Sequence, residues 1–195
     1  GTRNIPAALE NLEKALTRHG DVFSEDLYDI LMLKSDGLNL KRDLITAVKN
    51  QQHLIKQIEQ SNQKEKLGQA NLKLAGYYAR LGRLSDALAA NRQAGHWIKD
   101  GSDDQLRLLL NAARIYREQG EIERSLEIFA RLQALITATS PVELAAETAY
   151  QRGYTRLQAS RLDQALEDFR ESEKLYRQTE RRNAGILSQK AQASV

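Results

Sequence analysis

Three stretches of this 195-residue chain carry one pattern in one register. Aligned on Gly82, Gly120 and Ser160, which lie 38 and 40 residues apart, they place Leu84, Ile122 and Leu162 two residues later. The small residues Ala87, Ser125 and Ala165 follow at five, Leu88, Leu126 and Leu166 at six, and Asn91, Phe129 and Phe169 at nine. On the other side of the alignment point, Ala75, Ala113 and Gly153 stand seven residues back, and Tyr78, Tyr116 and Arg156 four back. A period of this length marks a supersecondary unit that buries its apolar face only against copies of itself. Small residues on both sides of a turn let two antiparallel helices cross closely, and the large residues fill the gap to the next pair.

Between these landmarks apolar residues recur at a spacing near 3.6, so the expected elements are helices. Ten are predicted: 5–18, 24–36, 39–60, 64–81, 84–98, 103–119, 122–136, 141–158, 162–178 and 180–193. His19-Gly20, Asp36-Gly37, Gly82, Asp100-Gly101 and Gly120 read as stops or turns, because glycine adopts positive φ without strain. Ser140-Pro141-Val142-Glu143 reads as a helix start, with Ser140 as cap, Pro141 in the first turn and Glu143 completing a capping box. Composition agrees, since Leu, Ala, Gln, Glu, Lys and Arg dominate and there are only two prolines.

The stretches NLKLAGYYARLGRLSDALAANRQA, LLLNAARIYREQGEIERSLEIFARL and AYQRGYTRLQASRLDQALEDFRES resemble the tetratricopeptide repeat family. The likeness lies in a small residue, an aromatic and a turn glycine, then alanine and an aromatic in the second helix. It covers about residues 66–178 and departs at Ser160, Arg156 and Asn91, and no proline closes a repeat. The resemblance implies an all-α, right-handed superhelical solenoid of antiparallel helix pairs, about ten helices in all. The whole of 1–195 is then one solenoid, with TPR-like repeats at 64–98, 103–136 and 141–178. Residues 24–60 are expected to be a degenerate pair in which no frame of small residues is evident. Residues 5–18 and 180–193 are expected to be half repeats, the first with Ala8, Leu12 and Ala15 facing inward. Both ends are thus expected to be cut within a repeat, making the chain a piece of a longer protein.

Enzyme signatures are absent: there is no glycine-rich phosphate loop, nucleophile elbow, His-Glu-x-x-His helix or calcium loop. His19, His53 and His96 are scattered. The reading is a non-enzyme without cofactor or metal. A net charge of +3, from 29 basic and 26 acidic residues, is too even to make nucleic acid the expected partner. No apolar run reaches the roughly 18 residues of a membrane span. Cysteine is absent, which excludes disulfides and thiolate metal sites and leans toward the cell envelope over the cytoplasm.

In the resembled family the first helices line a concave groove, and that face carries over to particular positions here. It gives Gln69, Leu72, Lys73, Gly76, Ala79 and Arg80 from one repeat, then Arg107, Leu110, Asn111, Arg114, Arg117 and Glu118. The third repeat adds Glu147, Tyr150, Gln151, Tyr154, Leu157 and Gln158. The expected partner-binding set is Lys73, Arg80, Arg107, Asn111, Arg114, Arg117, Tyr150 and Tyr154, basic in the middle and aromatic at one end. Such a face suits an acidic protein or peptide, or a polysaccharide. Of the chaperone-binding subgroup's carboxylate clamp only Asn111 is present, which argues against that role. Three readings follow: a protein-interaction scaffold, a bacterial envelope solenoid for export or reception of a polysaccharide or protein, and a sensory segment of a bacterial regulator. Trp97, the only tryptophan, is expected to pack between repeats.

Overall fold

The computed structural model describes residues 5–19, 23–179 and 192. Among these the chain is all-helical, with nine α-helices and no strand: α1 (Ile5–His19), α2 (Glu25–Leu40), α3 (Leu44–Glu59), α4 (Leu67–Arg80), α5 (Leu84–Gly95), α6 (Asp103–Glu118), α7 (Ile122–Leu135), α8 (Val142–Gln158) and α9 (Leu162–Arg177). The chain forms two compact units, Gly1–Ile98 and Lys99–Val195. In the first, each of α1 to α5 packs on its neighbour; in the second, α6 to α9 do so and α6 also meets α8.

One turn geometry joins the helices of every pair. Gly82, Gly120 and Ser160 take φ of 72°, 81° and 58°, and so does a fourth residue, Arg42, at 63°. After each, a backbone N–H reaches five residues back to a carbonyl: Asp43 to Leu38 at 2.9 Å, Arg83 to Tyr78 at 2.9 Å, Glu121 to Tyr116 at 2.9 Å and Arg161 to Arg156 at 2.8 Å. This is the bond that closes a helix through one left-handed residue. Arg42 therefore supplies the frame that residues 24–60 lacked. Seven before it stands Ser35, five after it Ala47, both fully buried, as Ala75, Ala87, Ala113, Ser125 and Ala165 are in the other pairs. Pairs α2–α3, α4–α5, α6–α7 and α8–α9 are thus four copies of one hairpin.

The small residues sit where the two helices of a pair approach. Ser125 Oγ donates to the Ala113 carbonyl at 2.8 Å across the α6–α7 pair. Nine residues after the turn, Gln51, Phe129 and Phe169 are fully buried and Asn91 nearly so. Removing a phenylalanine side chain from water contributes roughly 1.5–3 kcal/mol. Gln51 instead donates its amide to the Ala70 carbonyl of α4 at 3.0 Å, which joins the first pair to the second.

Several expectations are corrected. The break at Asp36-Gly37 does not exist: α2 runs on to Leu40 and α3 starts only at Leu44. Gly37 is there for space, since a Cβ would meet Leu9 Cδ2 of α1 at 2.8 Å. Leu9 is the buried residue of α1; of the three residues expected to face inward, Leu12 and Ala15 are half-buried and Ala8 is exposed. Ser140 does not cap α8. Its hydroxyl accepts from the Thr137 N–H at 3.1 Å within the preceding loop, and Pro141 takes the cap position with no side-chain bond. The helix expected at 180–193 lies outside the described residues except for Gln192.

Candidate functional site

The basic residues singled out from sequence fall on the first helices of the pairs, α4 and α6, but most of their charge is already engaged. In the first unit Lys73 Nζ reaches from α4 to both carboxylate oxygens of Asp36 on α2, each at 2.8 Å. Tyr77 donates to the same carboxylate at 3.3 Å, and burial followed by that carboxylate pushes its phenol pKa up. Arg80 bonds Asn39 Oδ1 of α2. These bonds tie α2 to α4 side by side, so the two helices share a face.

In the second unit the equivalent helices are α6 and α8. Arg107 pairs within its own helix with Asp104 at 3.2 Å. Arg117 donates to Gln151 Oε1 at 2.7 Å and to Glu118 at 2.8 Å. Gln151 in turn donates to Glu147 at 2.6 Å, whose other oxygen accepts from Tyr176 at 2.9 Å. Asn111 is half-buried and is not free of interactions.

Arg114 differs from all of these. Six residues before the turn it holds the place that Asp36 holds in the first pair, and Gln151 holds the place of Lys73. The acid that answers Lys73 in the first unit is therefore a base in the second, and the residue in the lysine's place is a neutral amide already taken by Arg117 and Glu147. Arg114 is half-buried. Among the described residues it is the one cation of the expected set with no hydrogen bond or ion pair. No family model matches the chain, and no curated protein matches it.

Tyr150 and Tyr154 are brought together, with ring centroids 5.0 Å apart edge to face, and both lean on Phe169 at 5.9 and 5.3 Å. Their hydroxyls lie 3.4 Å apart. Burial, then the bond to Tyr154, pushes the Tyr150 phenol pKa up. The pair is thus chiefly packing, with its polar edge left half-open. Leu72 and Leu110, expected on the open face, are buried instead. Trp97 is 41% exposed; its Cβ lies 3.3 Å from where a side chain on Gly68 would begin.

A charged cluster that sequence reading missed lies inside the second unit. Arg152 of α8 donates to Asp168 Oδ1 of α9 at 2.8 and 2.5 Å, to Glu171 at 2.8 Å and to Gln133 of α7. Arg156 reaches the same Asp168 oxygen at 2.8 Å. Asp168 is 2% exposed, and its Oδ2 has no partner. Burial pushes its carboxyl pKa up, more than the two guanidiniums pull it down. Arg152 responds the other way: burial opposes its charge, but Asp168 and Glu171 outweigh that and hold its pKa above the ordinary value. Arg152 spreads its donors over three partners, while Asp168 Oδ2 faces none. Linking α7, α8 and α9, this cluster reads as architecture. No group of three or more His, Asp or Glu side chains able to hold a metal occurs among the described residues.

Proposed function

We propose that this chain is a tetratricopeptide-type repeat protein that serves as a protein-interaction scaffold, and that an acidic segment of a partner docks on the α6–α8 face around Arg114. The single observation carrying this reading is that Arg114, a half-buried residue with no hydrogen bond or ion pair among the described residues, stands where the first unit has Asp36. An unpaired guanidinium is well matched by a bidentate carboxylate. Arg107 stands two helical turns before it, with a side chain 48% exposed on a weak i to i+3 pair, and can turn toward an incoming acid at little cost. The recurrence of one hairpin through α2–α9 supports the family assignment.

The test is a side-by-side capture from cell extract by wild-type protein and by the Arg107→Glu, Arg114→Glu variant, washed at low and at high salt. Acidic proteins held by the wild type at low salt and lost from the variant are the expected outcome, because screening acts within about 8 Å at physiological ionic strength. Identical captured sets would sink the reading.

A further inference from the structure

We propose a second docking surface, on the α2–α3 hairpin, that takes an acidic amphipathic helix of a partner protein; it rests on different residues from the α6–α8 reading and stands without it. Among the described residues the three most exposed large apolar side chains are Leu40 at 67%, Ile45 at 63% and Leu33 at 57%. All three fall within thirteen consecutive residues on one hairpin. Leu33 and Leu40 are seven apart on α2, so they share one stripe two turns long, about 10.5 Å by the helical rise. Scattered exposed leucines need no explanation, but a stripe beside charge at a hairpin end is the form of an interaction site.

The surroundings of the stripe say what it fits. Lys41 and Arg42 at the turn and Arg80 on α4 are all exposed, and none has a carboxylate partner among the described residues; Arg80 binds only the neutral Asn39. Arg42 is the more telling, because it occupies a φ of 63° where two of the other three hairpins use glycine. Holding a long side chain in the left-handed region is a local strain, of the kind that persists where the side chain has a use. Lys73 runs in the same row as Arg80 but is answered by Asp36, so the open positive charge is gathered at the turn end of the stripe. A partner helix with apolar residues at i and i+7 lying along Leu33 and Leu40, and with glutamates or aspartates toward Lys41, Arg42 and Arg80, matches both features. Asp36 is answered by Lys73 and Asp43 caps α3 through the Thr46 N–H at 3.1 Å, so at the turn three open cations stand against one capping carboxylate.

The experiment uses the whole chain and a fluorescently labelled helical peptide of about 18 residues, carrying leucines at i, i+4 and i+7 with glutamates on one flank. Its twin with lysine for each glutamate serves as control. Anisotropy titration should show the acidic peptide binding and the basic twin not. Affinity should fall at least about tenfold in Leu33→Ser, Leu40→Ser, and by a similar factor in Arg42→Gly, Arg80→Gln. Arg114→Glu should leave it unchanged, which separates this surface from the α6–α8 face. All variants should keep the wild-type circular dichroism, since the replaced side chains are exposed. Three outcomes would overturn the proposal: equal or absent binding of the two peptides; Leu33- and Leu40-dependent sedimentation with vesicles of phosphatidylserine and phosphatidylcholine in place of peptide binding; and self-association of the chain that the double serine variant abolishes.

Discussion

Phe169 closes on Gly153 so tightly that a Cβ there would stand 2.6 Å from the ring's Cε1 and 2.8 Å from Cδ1. The ring cannot retreat, because Tyr150 and Tyr154 flank it and it is fully buried. Gly153→Ala should therefore destabilise by roughly 1–2 kcal/mol, overpacking of about 1–3 kcal/mol being only partly offset by alanine's helix preference of up to about 1 kcal/mol. Urea unfolding checks this. A stabilised variant would mean that the α8–α9 crossing is looser than described.

Four hairpins in one frame predict that Ala47→Leu behaves like Ala87→Leu and Ala165→Leu, each losing roughly 1–3 kcal/mol through overpacking. Ala47 is the informative one, since it belongs to the pair whose frame only Arg42 reveals. Unchanged thermal unfolding of Ala47→Leu would remove α2–α3 from the repeat.

At the turns, Arg42→Gly and Ser160→Gly should each gain roughly 0.5–1 kcal/mol. A left-handed non-glycine residue costs about 1–2 kcal/mol, against which glycine's extra chain entropy takes back about 0.5–1 kcal/mol. Gly82→Ala and Gly120→Ala should lose stability for the same reason. If Arg42→Gly is less stable than wild type, its side chain is structural and the docking role proposed for it falls.

The fold was largely legible because the turn residues at Gly82, Gly120 and Ser160 and the small residues flanking them are chemically alike, and their register is the register of the packing. The first hairpin was illegible because its turn residue is an arginine, so that the small residues Ser35 and Ala47 have no glycine at the turn position to align on. Gly37 misled for a related reason: a glycine required for the approach of Leu9 looks, in sequence, like a glycine required for a turn. Leu72 and Leu110 turn inward, because a step of one residue, about 100° around a helix, is enough to carry a side chain from an open face to a buried one. Sequence could not show that Asp36 neutralises Lys73 from 37 residues away while nothing among the described residues answers Arg114.

Buried charge gives a sharper stability test. Arg152→Met should cost about 3–5 kcal/mol, since it leaves Asp168 buried with its strongest partner gone. The double change Arg152→Met, Asp168→Leu should recover most of that loss, as apolar replacements of buried pairs generally do. A double-mutant cycle by chemical unfolding reads the coupling directly, and additivity of the two changes would show that the pair is not energetically linked.

The most direct test of the scaffold reading is the affinity of one captured acidic partner, titrated against wild type, Arg114→Glu and Arg124→Glu. Arg124 is a fair control, being bound to Glu121 at 3.1 Å and stacked on Tyr116 at 4.1 Å, on α7 rather than on the α6–α8 face. Expected is a loss of at least about tenfold for Arg114→Glu, the scale of one close charge pair removed, with little change for Arg124→Glu and with melting temperatures close to wild type. Equal weakening by both substitutions, or by neither, would contradict a site at Arg114 and leave its guanidinium as one more solvated charge on a helix face.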